Sequence, residues 1–298
     1  MNSSDASPAD FTNQPLTIGL YGLGVMGASL ALKLREYSQW KLIGFGHRWE
    51  TLEKAQQQGI ITNIAADLCA PEQLSQLDLL IICTPVNTIE PLVKQVVQSH
   101  QSDRSLLVTD VGSTKQSICE SLSHLTGGKV RFLGSHPMAG TEKSGFAHAS
   151  PNLFNQKTAV LTPLPEHQSQ DIALLKGLWE AVGSEVLCLD PEAHDFCVAK
   201  ISHLPHLVAS ALACVATEDC IPLASSGFRD TTRIAKGSVE MWTAIFQENR
   251  AQMLATLSEF EAVISQFRKA IENQQQDALA KLLKQGKEMR EQFPVDES

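Results

Sequence analysis

The sequence predicts an α/β fold: an N-terminal Rossmann-type, doubly wound and mainly parallel sheet followed by an all-helical C-terminal domain. Three observations predict it. A glycine fingerprint stands between a strand pattern and a helix pattern near residue 22. Short apolar runs alternate with helical patterns up to residue 190, and beyond that point no strand pattern is convincing. We therefore expect a disordered tail over residues 1–14 and two domains, residues 15–190 and 191–298.

The fingerprint lies in Leu16–Ser29, where an apolar run leads into a G-x-G-x-x-G motif and a helical pattern follows. Gly22 permits a tight turn, Gly24 lets the backbone approach a pyrophosphate, and Gly27 lets the helix pack on the strand. The free N–H groups of the helix start favour phosphate. The motif predicts a dinucleotide-binding domain, and a glycine-rich turn without a cofactor is the alternative. The candidate contacts are Gly22, Leu23, Gly24, Val25, Met26 and Gly27.

Further apolar runs supply the other strands of the expected sheet. Continuous apolar runs such as residues 78–85 are typical of strands covered on both faces. Helical patterns, for example residues 49–58 and 88–98, lie between most of them. The expected strands are residues 16–21, 40–46, 78–85, 105–111, 130–135, 158–164 and 185–190.

The C-terminal part has only helical patterns. Residues 193–217 form a long apolar segment broken by Pro205, and residues 239–271 and 275–291 have helical periodicity. A helix that is apolar nearly all round must be buried, and a two-helix layer cannot cover it. We therefore expect a homodimer with interlocked helical domains.

Composition excludes several classes of protein. The net charge of −9 and the absence of a basic run argue against a nucleic-acid partner. Seven cysteines without a C-x-x-C motif indicate neither a disulfide framework nor a zinc site, and reduced, mostly buried thiols fit best. The N-terminus lacks the features of a signal peptide, and we expect no apolar run long enough to span a bilayer. A cytoplasmic protein is the resulting expectation.

The end of the second strand bears on the choice of cofactor. NAD-binding folds normally carry an acid there, which accepts hydrogen bonds from the ribose hydroxyls. Here Gly46 takes that position, His47 and Arg48 follow, and these two are suited to a 2′-phosphate. The sequence favours NADP over NAD, and the alternative is that both are solvated loop residues. Thr84, at the end of another strand, is a further candidate cofactor contact.

Two loops at strand ends carry candidate catalytic residues. Ser113 follows the strand 105–111, on the side where doubly wound sheets bind ligands, although it is also placed to cap the next helix. His136 precedes a proline at a strand end, which fixes an extended backbone, and histidine can accept a proton near neutral pH. A structural histidine is the alternative.

Two segments of the helical part supply candidate substrate contacts. His194, Ser202, His203 and His206 lie along its first helix. Metal binding is disfavoured because no acid accompanies the histidines as in H-E-x-x-H, whereas core or interface histidines remain open. The second segment is residues 225–233, where Arg229 and Arg233 stand four apart and are suited to an anion, because arginine pairs bidentately with carboxylates. An ion pair of Asp230 with one of them, or a solvated loop, is the alternative.

Together these motifs resemble the prephenate/arogenate dehydrogenase family of tyrosine biosynthesis over roughly residues 16–270. The pair GSHPMAGTE and FRDTTRIA is highly specific. The matching pieces are GLYGLGVMGAS at 19–29, DVGSTK at 110–115, GSHPMAGTE at 134–142, SHLPH at 202–206, GFRDTTRIA at 227–235 and the following Trp242.

The resemblance implies an NAD(P)-dependent oxidative decarboxylation. Hydride leaves C4 of a cyclohexadienol for the nicotinamide, the C4 hydroxyl becomes a carbonyl, CO2 departs and the ring becomes aromatic. Prephenate would give 4-hydroxyphenylpyruvate and arogenate would give tyrosine. A dual-substrate cyclohexadienyl dehydrogenase is also open. More remote alternatives are a β-hydroxyacid or pyrroline-carboxylate type reductase, for which Lys200 or Lys236 would be the candidate lysine, and a non-catalytic nucleotide sensor.

The resemblance also assigns roles. His136 matches the histidine that accepts the proton of the C4 hydroxyl, Ser113 matches the serine beside that hydroxyl and the nicotinamide, and Arg233 matches the arginine that binds a substrate carboxylate. His206 matches a histidine that some arogenate-specific relatives lack, which favours prephenate. The other matched pocket positions are Arg229, Thr141, His194 and Ser202. Gly46 departs from NAD-dependent relatives, and we expect neither a fused chorismate mutase nor an ACT domain.

Overall fold

The computed structural model describes residues 14–293 except 66, 67, 69, 70, 142 and 144. Except for Gln14, the predicted disordered tail lies outside the described residues. Cys69 and Glu142 lie outside them as well. Two compact units divide the chain, Met1–Arg250 and Ala251–Ser298. The predicted boundary at residue 190 stays a prediction.

A six-stranded parallel sheet forms the centre of the first unit, in the order β3-β2-β1-β4-β5-β6. This is the strand order of the dinucleotide-binding Rossmann fold, with its crevice where β1 and β4 diverge. Five of these six strands lie within runs predicted as strands, and β3 is one that the sequence did not indicate. The strands are β1 (Thr17–Tyr21), β2 (Lys41–Phe45), β3 (Asn63–Ala65), β4 (Leu79–Ile82), β5 (Leu106–Asp110) and β6 (Val130–Phe132).

Helices cover both faces of this sheet. Along β4, Leu79 and Ile81 enter one apolar core and Leu80 and Ile82 enter the other, which explains why the strand reads as a continuous apolar run. The helices are α1 (Val25–Leu34), α2 (Trp49–Gln57), α3 (Pro71–Leu74), α4 (Ile89–Ser99) and α5 (Gln116–Ser121).

A second, three-stranded sheet corrects the expectation that the runs 130–135, 158–164 and 185–190 all add strands to the parallel sheet. The run 130–135 was expected to be one strand, but it turns at Leu133 and continues as β7 (Gly134–Pro137), which belongs to a separate sheet. There β7 pairs antiparallel with β8 (Thr158–Thr162), and β8 pairs parallel with β9 (Glu185–Cys188), after helix α6 (Ser169–Ala181). This break places His136 on β7, outside the parallel sheet.

Beyond β9 the chain is helical, as predicted. Helix α7 (Pro191–Val198) passes through a π-helical turn, Ala199–His203, into α8 (Leu204–Val215). Pro205 lies just after the turn and lacks the N–H that a regular helix would bond to residue 201, so the widened turn accommodates it. The remaining helices are α9 (Ser226–Thr232), α10 (Val239–Glu248), α11 (Arg250–Glu272) and α12 (Gln276–Glu291).

Two expectations, one about the length of apolar runs and one about the burial of the thiols, are wrong for the single chain. The segment Pro191–Val215 is long and apolar enough to cross a bilayer, with a mean hydropathy of 1.4, contrary to the expectation that no run has that length. Only 22% of its most apolar window is buried, and Ile201 and Val215 are exposed. The thiols are also not mostly buried: among those described, Cys119 is buried and Cys83 is half-buried, while Cys188, Cys197, Cys214 and Cys220 are exposed and free.

Candidate active site

The glycines of the fingerprint have the geometry that a dinucleotide requires. Gly22 has φ +94°, a conformation that favours glycine. A Cβ on Gly27 would lie 2.2 Å from the carbonyl oxygen of Gly22, so α1 packs against the turn only without a side chain. A Cβ on Gly24, by contrast, would meet no atom within 4 Å. This open space beside the start of α1 fits a pyrophosphate approaching the backbone.

A cleft of about 200 Å³ lies beside this turn. Among its lining residues are His47, Arg48 and Thr84, as the predicted cofactor contacts require. Gly46 also lines it and has φ +149°, so the chain turns where an NAD-type acid would stand. Of the fingerprint residues, Gly22, Leu23 and Gly24 line the cleft, whereas Val25 and Met26 lie in the first turn of α1.

The Ser113 loop is held by a buried carboxylate at the end of β5. Asp110 accepts hydrogen bonds from Gly112 N–H at 2.8 Å and Ser135 N–H at 3.2 Å, and pairs with the ammonium of Lys115. Both side chains of the ion pair are fully buried. One carboxylate therefore fixes the residues directly before Ser113 and His136. Helix α5 begins with Lys115 at its cap position, so Ser113 is not its N-cap.

The imidazole of His136 stands at the start of a buried chain of polar groups. Its Nδ1 lies 2.8 Å from Nε2 of His194, and Nδ1 of His194 lies 2.7 Å from Oδ1 of Asp195. His136 is 7% exposed, and His194 and Asp195 are almost completely buried. Both ring nitrogens of His194 are engaged by protein groups, which favours a supporting role over the substrate contact predicted for it.

Burial sets the protonation of His136. It lowers the pKa of the imidazole well below its usual value, and the neighbouring His194, Lys115 and His203 lower the pKa further. The ring is therefore neutral at pH 7 and able to accept a proton.

His203 and His206 lie further along the same helical segment. Asn249 Nδ2 lies 3.2 Å from His203 Nδ1 and donates to the carbonyl of Asp195 at 2.9 Å. Burial lowers the pKa of His203 to about 4, although nearby Asp195 raises it. Burial likewise lowers the pKa of His206 to about 4; the main chain of Ile234 raises it and Arg233 lowers it. His206 therefore lies beside Arg233 and Ile234, in the segment that follows α9.

The remaining predicted substrate contacts lie at different depths. Ser202 is half-buried within the π-helical turn. Arg233 begins the turn after α9 and is exposed in the single chain, and Arg229, on α9, is exposed as well. Thr141 is an exposed loop residue whose hydroxyl accepts from Lys143 N–H at 3.2 Å. The substrate-binding roles of Arg229 and Thr141 stay predictions.

Sequence reasoning missed Asp195 and Asn249 as members of the site. Asp195 follows a histidine that was singled out, yet only the fold shows that it contacts a loop 80 residues earlier. Asn249, at the end of α10, has no motif around it that points to His203. Within the described part of the chain, no group of three or more His, Cys, Asp or Glu side chains is arranged to hold a metal ion.

Comparison with known proteins gives a consistent result. Residues 30–188 match the family model described as "Prephenate dehydrogenase, nucleotide-binding domain", and residues 190–285 match "Prephenate dehydrogenase, dimerization domain". The chain is 33% identical over 286 residues to the prephenate dehydrogenase of Bacillus subtilis (strain 168), covering 94% of this chain and 76% of that protein.

Solved structures agree in fold and in sequence. Prephenate dehydrogenase from Aquifex aeolicus, in complex with hydroxyphenyl propionate and NAD+, superposes with a TM-score of 0.86 at 32% identity, covering 94% of this chain and 99% of that one. Arogenate dehydrogenase from Synechocystis has a TM-score of 0.79 at 35% identity, covering 94% and 100%.

Proposed function

The chain belongs to the prephenate dehydrogenase family, and we propose from that premise that it oxidises prephenate, with NADP as the hydride acceptor and His136 as the base that takes the proton of the C4 hydroxyl. The family makes it an NAD(P)-dependent dehydrogenase that acts by oxidative decarboxylation. The observation that carries the proposal is the Asp110 carboxylate, which accepts from Gly112 N–H and Ser135 N–H, the residues directly before Ser113 and His136. The product would be 4-hydroxyphenylpyruvate.

The cofactor cleft fits a nicotinamide dinucleotide. The open space at Gly24 suits the pyrophosphate, and Arg48 with His47 suits a 2′-phosphate, which supports NADP as the preferred form. When bound, the nicotinamide ring accepts the hydride that leaves C4 of the substrate. A relative at 32% identity was solved with NAD+, so NAD is the alternative.

His136 supplies the base. Its Nδ1 is occupied by His194, so its Nε2 is the atom that takes the proton of the C4 hydroxyl. Loss of that proton raises the electron density at C4 and favours departure of hydride. Ser113, on the loop tied to the same carboxylate, orients the hydroxyl, and Arg233 pairs with a substrate carboxylate. Alignment of this kind can supply about 7–11 kcal/mol in favourable cases.

The assembly proposed is a homodimer through the helical part. The match to a dimerization domain over residues 190–285 supports it, and so do the exposed apolar residues Phe196, Ile201 and Val215. A second copy would cover this face. We place the enzyme in the cytoplasm, which its free exposed thiols support, with a small-molecule substrate and neither membrane nor nucleic acid as a partner.

The substrate and cofactor are tested together. Purified protein is assayed for nicotinamide reduction with prephenate or arogenate, each with NADP or NAD. Fastest turnover with prephenate and NADP is expected. Arogenate is the second candidate, because a relative at 35% identity is an arogenate dehydrogenase. Absence of turnover in all four mixtures, with folded protein that binds NADP, would overturn the proposal.

The role of the base is tested by His136→Asn. Turnover should fall by about 10²–10⁴-fold, while the Kd for NADP is retained, because only proton transfer is removed. His124→Asn, at an exposed position after α5, is the matched control and should keep full turnover. Unchanged turnover in His136→Asn would show that another group is the base.

A further inference from the structure

Asp195 joins the start of α5 to His194 through one buried carboxylate. Its Oδ1 accepts from Lys115 N–H at 2.8 Å, and its Oδ2 accepts from Gln116 N–H at 2.9 Å, which satisfies the start of α5. The same Oδ1 lies 2.7 Å from Nδ1 of His194. No sequence motif or family resemblance assigned a role to this residue.

The contacts fix where the protons lie. An ionised carboxylate only accepts hydrogen bonds, so Nδ1 of His194 must carry a proton and donate it to Asp195. In neutral His194 the other nitrogen, Nε2, is then bare and accepts from Nδ1–H of His136. In neutral His136 this leaves Nε2 bare, which is the form that a base requires.

We propose that Asp195 is a positioning residue that selects the reactive tautomer of His136 through His194. This inference rests on the proposed role of His136 as the base. When His136 takes a proton at Nε2, its new positive charge is shared along the hydrogen-bonded chain towards the Asp195 carboxylate. The arrangement has the logic of a base oriented by a second group that is itself oriented by an acid.

Other charged and titratable groups face this chain. Lys115, from the loop after β5, lowers the pKa of His136, although its ammonium is paired with Asp110. His203, from the π-helical turn, also lowers the pKa of His136. Asp195 is thus the carboxylate that accepts the hydrogen bond of His194 Nδ1–H, whereas the carboxylate of Asp110 is occupied by Lys115 and two backbone N–H groups.

The test is Asp195→Asn, which keeps the shape of the side chain. If the amide NH2 faces His194, it opposes Lys115 N–H and donates to Nδ1 of His194, which reverses the chain and leaves Nε2 of His136 protonated. If the amide oxygen faces His194 instead, the NH2 opposes Gln116 N–H. We expect kcat to fall about 100-fold or more, with the KM for prephenate and the Kd for NADP changed less than about threefold.

A direct readout separates this inference from a structural role. With 15N-labelled histidine, the NMR shifts of His136 should report a bare Nε2 in the wild type and a protonated Nε2 in Asp195→Asn. The pH profile of kcat should shift in the same variant. Asp171→Asn is the control: this buried carboxylate pairs with Arg131 at 2.6 Å, so its loss should lower the melting temperature and leave kcat unchanged.

Each outcome decides one question. Full kcat and an unchanged His136 tautomer in Asp195→Asn would overturn the role of Asp195 while leaving His136 as the base. A wild type without activity on prephenate or arogenate would overturn the proposed function, and the tautomer would still be measurable. If Asp195→Asn does not fold, His194→Gln is examined in its place. Unchanged kcat and an unchanged pH profile in that variant would overturn the inference.

Discussion

The imidazole of His206 lies against the indole of Trp242, with ring centroids 3.6 Å apart and an angle of 27° between the planes. The two rings come from α8 and α10, and Phe246 extends the aromatic group, with its ring 5.6 Å from that of Trp242. Burial keeps His206 neutral, with a pKa of about 4, so the pair presents an uncharged aromatic surface near Arg233. A flat apolar surface beside a cation is suited to a substrate that has a six-membered ring and carboxylates.

Gly237 allows this stack to form, and Gly237→Ala should disrupt it. A Cβ at this position would lie 2.6 Å from Nε1 and 2.8 Å from Cδ1 of Trp242, so the indole must move. We expect the KM for prephenate to rise about tenfold, with smaller effects on NADP binding. Steady-state kinetics and a titration with NADP measure the two. Gly127→Ala, where a Cβ meets nothing within 4 Å, is the control. An unchanged KM for prephenate would show that the stacked pair of His206 and Trp242 does not contribute to substrate binding.

The buried histidines make stability depend on pH. The pKa of His203 is about 4, against about 6.5 when unfolded, so the unfolded chain binds more protons between these values. The stability is therefore complete above pH 6.5 and is lost as the pH falls towards 4. For His203 the free energy of unfolding should fall by roughly 1.5 kcal/mol between pH 6.5 and 5. Urea unfolding at fixed protein concentration measures it, and His203→Gln should flatten the slope. If the free energy of unfolding depended on pH equally in both proteins, His203 would not be the source of the pH dependence.

The sequence predicted the strands of the parallel sheet well where each strand is a separate apolar run. The parallel strands are continuous apolar runs because helices cover both faces of the sheet. The split between β6 and β7 was not predicted, because Leu133, the residue between the two strands, is itself buried and apolar, so the run shows no break. The short β3 has only three residues, too few to show a period.

The site was predicted at the level of motifs, and the structure adds how they meet. Asp110 accepts from Gly112 and Ser135, the residues directly before Ser113 and His136, and this relation between strands is not revealed by spacing in the sequence. The π-helical turn at Ala199–His203 changes the register of α8 by one residue, and sequence periodicity assumes a constant pitch. The contacts of Asp195 and Asn249 depend on tertiary packing in the same way.

The proposed preference for NADP should depend on Arg48. Its position in the cleft beside Gly46 suits a charge-assisted contact with a 2′-phosphate, worth about 1.5–3 kcal/mol. Arg48→Ala should therefore raise the Kd for NADP by about 10- to 100-fold and that for NAD by less than about threefold. Fluorescence titration with each cofactor measures both. Lys54→Ala, which removes a cation of the same helical region outside the cleft, should leave both Kd values unchanged. Parallel loss of both cofactors would count against recognition of the 2′-phosphate.

The exposed apolar face of α7 and α8 should be the dimer interface. Val215 is 77% exposed in the single chain, at the end of α8. Val215→Asp would place a charge in a dry interface, which is costly without a partner. We expect the variant to sediment as a monomer at micromolar concentration, where the wild type is a dimer. Glu166→Lys, in the exposed loop after β8, changes charge elsewhere and should stay dimeric. A dimeric Val215→Asp would place the interface on another surface.

Alanine substitutions at two glycines of the fingerprint should have different effects, one on NADP affinity and one on stability. A Cβ on Gly24 enters open space, and its φ of −78° suits any residue, so Gly24→Ala should fold normally. The added methyl group then stands where the pyrophosphate must approach, and the Kd for NADP should rise at least about tenfold. A Cβ on Gly27 would lie 2.2 Å from the carbonyl oxygen of Gly22, so Gly27→Ala should force α1 away from β1 and lower the melting temperature without any cofactor present. Thermal unfolding and an NADP titration on both variants separate the two effects. Normal NADP affinity in a well-folded Gly24→Ala would show that the pyrophosphate does not pass over this turn.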